Sequence, residues 1–153
     1  MKKLFAFLTA AMLLSACAGT NKNEENGGFL SSGTTDFKGT MVVTFRGEDV
    51  STPDVVISVN YKKDAGKADI LFNKVKFVPQ MPVTLDITIP GVTVKKEGST
   101  YTFTGNEIEP TVGGVPYAEY KVTGLNGEVK SGFMQLQLNF GSFPTRFLGS
   151  QIE

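Results

Sequence analysis

Cys17 is the only cysteine among 153 residues, and it closes the run Leu14-Ser15-Ala16-Cys17 directly behind an apolar stretch, residues 4–14, that only Thr9 interrupts. Apart from this thiol, the chain offers little reactive chemistry. It has no histidine, which removes the commonest general base, proton shuttle and metal ligand together. A serine–histidine triad and a histidine-bearing zinc site are therefore excluded. Gly113-Gly114 is not followed by Lys-Ser/Thr, so there is no phosphate-binding glycine loop. Two carboxylates can in principle hydrolyse a glycoside. Glu107 and Glu109 share one face if their stretch is extended, but Asn106 and Pro110 flank them and point to a solvated loop. Glu119, between Tyr117 and Lys121, reads as an ion-pair partner on a strand, and Asp64 and Asp69 read as turn chemistry. The aromatic residues are the better lead, with twelve Phe, four Tyr and no Trp. Tyr61, Tyr101, Tyr117 and Tyr120 each present an apolar ring with a polar tip, as small-molecule and sugar sites do. The strand phenylalanines Phe72, Phe77, Phe103, Phe133 and Phe140 read as barrel filling.

The order Met1-Lys2-Lys3, apolar run, Ser15-Ala16 is that of a secretory leader. The apolar run is too short to span a bilayer, which takes about 20 helical residues. Leucine three places before the cysteine and small residues beside it resemble the leader of bacterial lipoproteins. The resemblance implies a diacylglyceryl group on the Cys17 sulfur, cleavage before it, and acylation of the new amine. Two or more acyl chains hold a protein stably where one chain of about 0.8 kcal/mol per buried CH₂ is marginal. Ala18 follows the cysteine, not the aspartate that retains some enteric lipoproteins at the inner membrane, so the expected address is the outer membrane, on its periplasmic or outer face.

Residues 1–16 are thus expected as signal peptide and residues 17–36 as lipidated cysteine and tether. Glycine and small polar residues dominate residues 18–36, and such a segment cannot bury enough surface to offset its ordering entropy. Its r.m.s. reach is roughly 25 Å on a 5–6 Å × √n scale. Residues 37–153 are the right size for one domain. Its charges balance and are scattered along the chain, with no basic stripe for nucleic acid and no polybasic segment for anionic lipid.

Period-two alternation runs through this domain. Phe37, Gly39, Met41, Val43 and Phe45 share one face, as do Val55, Ile57, Val59 and Tyr61. Further sets are Met81, Val83, Leu85, Ile87 and Ile89, and Met134, Leu136, Leu138 and Phe140. The pattern predicts eight or nine strands, near 37–47, 54–63, 67–77, 82–89, 91–96, 100–105, 115–125, 128–140 and 144–152. Turn signals separate them, among them Pro90-Gly91, and Asn126-Gly127 as a type I′ hairpin. The fold class is all-β: an antiparallel meander closed into a barrel, which removes its edges. A two-sheet β-sandwich is the alternative.

Several stretches resemble the calycin-like β-barrel domain of lipoproteins from anaerobic Gram-negative bacteria. They are Phe37-Lys38-Gly39-Thr40-Met41-Val42-Val43 with Val55-Val56-Ile57-Ser58-Val59, then Pro90-Gly91-Val92-Thr93-Val94 with Thr100-Tyr101-Thr102-Phe103-Thr104-Gly105, and Val122-Thr123-Gly124-Leu125-Asn126-Gly127-Glu128-Val129. The resemblance covers residues 37–153 and departs at 141–153, where Phe143-Pro144 is a poor start to a final strand. It carries no catalytic residues and implies a lipocalin-like binding fold by analogy alone. The expected function is a lipid-anchored, non-catalytic envelope module. It would hold a small apolar or sugar-like ligand, or a partner protein, with no cofactor and no metal. A structural lipoprotein without a ligand is the alternative, and a hydrolase using Glu107 and Glu109 the third reading.

Overall fold

A computed structural model describes residues 33–76 and 80–152. Cys17, the leader, most of the expected tether and Phe77 lie outside the described residues. The described residues form ten strands: β1 Gly33–Phe45, β2 Glu48–Lys62, β3 Lys67–Val75, β4 Leu85–Glu97, β5 Thr100–Gly105, β6 Thr111–Val112, β7 Val115–Pro116, β8 Val122–Lys130, β9 Phe133–Phe140 and β10 Phe143–Ile152. Two short 3₁₀ turns, Lys63–Ala65 and Ala118–Tyr120, complete it.

Eight of these strands close into a barrel. Sequential antiparallel pairing runs from β1 to β5 and from β8 to β10. β5 pairs with β8, and β10 returns to β1, with Thr145 opposite Val43 and Ile152 opposite Asp36. The β6–β7 ribbon is an extra piece laid on β4 through Ile87 and Thr88. The barrel end where β1 begins is called lower here, and the end where β1 finishes upper.

The alternation in the sequence becomes inside and outside. Phe37, Met41, Ile57, Ile70, Phe72, Ile87, Ile89, Phe103, Met134, Phe140 and Phe147 are all under 2% exposed. The Phe72 and Phe140 rings meet edge to face at 5.2 Å within this core. An eight-stranded barrel is just wide enough for such side chains to fill it.

Strand β10 completes the closure even though its sequence departs from a final strand. Phe143, Thr145, Phe147 and Gly149 turn inward or toward the core, and Pro144, Arg146, Leu148 and Ser150 outward. Pro144 lies near the strand start, where a missing N–H is tolerated. The seam with β1 is tight. Gly39 faces Gly149, and a Cβ on Gly39 would run into the Leu148 carbonyl oxygen.

Other boundaries differ from the expected ones, each for a local reason. β1 starts at Gly33, so residues 33–36 belong to the sheet and not to a tether; Thr35 opposes Val59 and is buried. Pro90-Gly91 is a bulge inside one long strand. The pair stands opposite Asp69 alone, with Ile89 facing Ile70 and Val92 facing Ala68. Gly91 takes φ 67°, and its N–H donates to Asp69 Oδ1 at 3.0 Å. The bulge leaves the N–H-less proline without a ladder partner to miss. Asn126-Gly127 lies within β8, next to an irregularity where Gly124 has φ 60°. The hairpin turns instead at Ser131-Gly132, φ 52° and 78°. That register sets buried Val129 against buried Met134; a turn at Asn126-Gly127 would set Leu125 against Glu128. Of the expected strand 115–125, Val115–Pro116 belongs to the ribbon, residues 117–121 hold a 3₁₀ turn and β8 begins only at Val122, while Val83 sits before β4, exposed.

Two outcomes follow. Phe72→Ala should lower unfolding free energy by about 3–5 kcal/mol in a denaturant titration, since the ring is fully enclosed. Asp69 is the second. Partial burial raises its pKa, but the Lys62 ammonium at 2.9 Å and the Gly91 N–H outweigh this and hold it below the ordinary value. A depressed carboxyl stabilises the fold above its unfolded pKa of about 3.9, and the gain is lost as pH falls through the folded value. Asp69→Asn should therefore be less stable than the parent at pH 7, with the gap closing in thermal melts taken below about pH 4.

Candidate functional site

The four tyrosines do not form one site. Tyr61 and Tyr101 sit inside the lower end of the barrel, edge to face at 5.7 Å and almost fully buried. Burial pushes the Tyr101 phenol pKa up, and Lys96 Nζ stands 5.7 Å from that ring. Tyr117 and Tyr120 lie at the opposite end, around the 3₁₀ turn, with rings stacked at 5.0 Å. Tyr120 meets Phe143 at 6.2 Å, and Phe143 stacks on Phe45 at 6.1 Å. These rings make a row across the upper rim. Burial, then Tyr117, then Glu119 push the Tyr120 phenol up.

The acidic candidates sit in separate surface settings, each exposed or engaged by a partner. Glu107 pairs with Lys121 at 3.3 Å in the exposed connection before β8. Glu109 is exposed, and Glu119 is in the 3₁₀ turn and not on a strand. Asp69 clamps the β4 bulge, a structural duty beyond turn formation. Among the described residues no three His, Cys, Asp or Glu side chains gather as metal ligands.

What the fold does assemble is a groove of about 500 Å³ on the outer wall, over β5, β8, β9, β10 and β1. The pairing registers set its outward residues in two rows across the strands. One row reads Thr102, Glu128, Gln135, Leu148, Thr40; the other reads Asn126, Gln137, Arg146, Val42. At 4.7–4.9 Å per strand the longer row extends about 19 Å. Gly127 lies between them, in register with the inward-facing Leu136 and Phe103. Its strand runs close to β9: an added Cβ would collide with the Gln135 carbonyl oxygen and the Leu136 side chain.

The polar groups in the groove are held in place. Gln135 Nε2 donates to Glu128 Oε2 at 3.3 Å. Arg146 donates to Asp49 Oδ2 at 3.1 Å, and the Thr44 hydroxyl donates to Asp49 Oδ1 at 2.7 Å. The Thr44 hydrogen bond, then Arg146, hold the Asp49 carboxyl below its usual pKa, so the pair stays charged at neutral pH. Three amides, a guanidinium, a carboxylate and two hydroxyls thus line one trough, with Val42 and Leu148 as its apolar spots. Amides both donate and accept, as ligand hydroxyls do.

Residues 34–148 match the family model of the calycin-like beta-barrel domain. The chain belongs to that family. No curated protein and no solved structure matches it. Calycin-like barrels suit ligand binding. In this member the interior is taken by its own side chains, while the outer wall carries the polar trough. None of the four tyrosines lines that trough, and none of its residues stands out in the sequence as a binding residue; Asn126-Gly127 reads there only as a turn. Its only sequence trace is the outward half of each alternating strand, Gln135-x-Gln137 and Arg146-x-Leu148.

The burial of Tyr101 and the partial burial of Tyr120 are open to direct measurement. Ultraviolet titration should show phenols ionising above about pH 10, the unperturbed value. Tyr101→Phe and Tyr120→Phe should each remove one late-ionising phenol. Unfolding in denaturant should return both groups to the ordinary range.

Proposed function

We propose that this calycin-like chain is a lipid-anchored, non-catalytic binding module of the cell envelope, at the outer membrane, that holds a sugar-like, hydroxyl-rich ligand in the outer groove. The groove carries this reading. A trough of about 500 Å³ falls within the size range of small-molecule sites. Its amides, Arg146 and Glu128 match vicinal hydroxyls, and Leu148 and Val42 offer contact to the C–H faces of a ring. A small apolar ligand inside the barrel is disfavoured, because eleven large side chains with under 2% exposure fill that space. The hydrolase reading loses support, because Glu107 is engaged by Lys121 at the upper end and away from the groove.

The anchor part of the reading rests on Cys17 and its leader. Intact mass of the envelope-extracted chain should show it beginning at Cys17 with a diacylglyceryl addition. A chain beginning elsewhere, or without lipid, would contradict it. For the ligand, the processed protein should retain particular oligosaccharides on a glycan array. Gln137→Ala and Arg146→Ala should each weaken binding about three- to tenfold, the loss of one hydrogen bond of about 0.5–1.5 kcal/mol. Tyr101→Phe should leave binding unchanged. Equal binding by the groove variants, or no oligosaccharide retained, would remove the sugar reading.

A further inference from the structure

The chain has no net charge, yet folding sorts its charges by end. Three hairpin turns, residues 62–67, 95–100 and 130–133, sit side by side at the lower end, because β2, β3, β4, β5, β8 and β9 are successive neighbours around the barrel. They carry Lys62, Lys63, Lys67, Lys95, Lys96 and Lys130 against only Asp64 and Glu97, and all six lysines are exposed. Lys62 is partly neutralised by Asp69 and Lys67 donates to Thr93, but their ammonium groups stay at the surface. The described connections at the upper end, residues 45–49, 75–76, 80–85 and 105–122, carry five carboxylates against three cations.

Two exposed apolar side chains share the lysine end. Phe133, 46% exposed, stands opposite Lys130, and Ile152, 38% exposed, stands opposite Asp36, close to where β1 begins. Cations around exposed apolar tips are the pattern of a surface that meets lipid headgroups and the first acyl carbons. Near an anionic leaflet each lysine contributes about 1 kcal/mol, within a Debye length of about 8 Å at physiological salt.

We propose that the lower end of the barrel docks on an anionic phospholipid surface through these lysines and Phe133. The chain enters the barrel at this same end, at Gly33. Residues 18–32 separate Gly33 from Cys17, a span of at most about 58 Å. This part of the argument rests on the lipid-anchor reading, which brings the lysine end to the bilayer. Docked in this way, the barrel stands with its upper rim away from the membrane and its groove on the side wall, open to solvent.

The test uses residues 18–153, which contain the whole closed barrel and neither leader nor thiol, in sedimentation with vesicles. Vesicles of phosphatidylglycerol and phosphatidylethanolamine should bind the protein at about 50 mM salt and release most of it at about 300 mM. Pure phosphatidylcholine vesicles should bind little. Replacing Lys63, Lys67, Lys95 and Lys130 by Gln should weaken binding at least about tenfold, and Phe133→Ser should weaken it further. The upper-end pair Arg46→Gln and Lys121→Gln should bind as the parent does. Far-UV circular dichroism checks that the variants fold; should the fourfold variant not fold, the salt and lipid dependence of the parent decides. Equal parental binding to both vesicle types, or undiminished binding by a folded fourfold variant, overturns the proposal. Vesicle binding by residues 18–153 together with an unlipidated native chain would refute the anchor and leave the docking standing. A lipidated native chain without vesicle binding would do the reverse.

Discussion

Closure of β10 against β1 is the constraint on which everything else in this barrel depends. It joins the last strand to the first and leaves no open edge among the eight barrel strands. The close approach is possible because glycines face each other at the seam: Gly39 has backbone where a Cβ would stand, and Gly149 is crowded by Phe147 and the Lys38 carbonyl oxygen. Once closed, the strands have only one register that keeps Phe37, Met41, Ile57, Phe72 and Phe147 inside. The same register determines which residues point out, and so it builds the groove as a consequence of the core.

The functional geometry follows from the size of the enclosed space. Eight strands enclose a volume that side chains can fill, and phenylalanines and isoleucines fill it here. A binding site in such a barrel is then best built on its surface. The outer wall over β8 and β9 supplies three amides, Asn126, Gln135 and Gln137, and β10 adds Arg146, anchored at one edge by its pair with Asp49. This polar wall stands between an aromatic upper rim and a basic lower end, so the three regions differ in what they can touch.

Much of the architecture was legible in the sequence. The inward sets on β2 and β9, and Phe37, Met41 and Val43 on β1, are buried, because strict alternation on a half-buried strand permits only one orientation. Local turn signals were less reliable. Asn126-Gly127 has the right residues for a I′ turn, but pairing Val129 with Met134 buries more apolar surface than a turn there would. Pro90-Gly91 reads as a break, yet Asp69 stabilises it as a bulge in a continuing strand. The tyrosines were singled out for their chemistry, and burial places Tyr61 and Tyr101 in the core. The groove was not legible, because Thr102, Glu128, Gln135, Leu148 and Thr40 come from five strands and meet only through the barrel's register. The lysine end was hidden for the same reason: its six cations are spread over about seventy residues of chain and converge only when three hairpins are set side by side.

The central claim is that this calycin-like barrel binds on its wall and not in its interior. Backbone amide shifts of the isotope-labelled protein, followed while a retained oligosaccharide is titrated in, test it most directly. The account predicts the largest shifts at Asn126, Gly127, Gln135, Gln137 and Arg146, with Phe72, Ile87 and Phe103 unmoved. Largest shifts at those interior residues, with the wall unaffected, would contradict it.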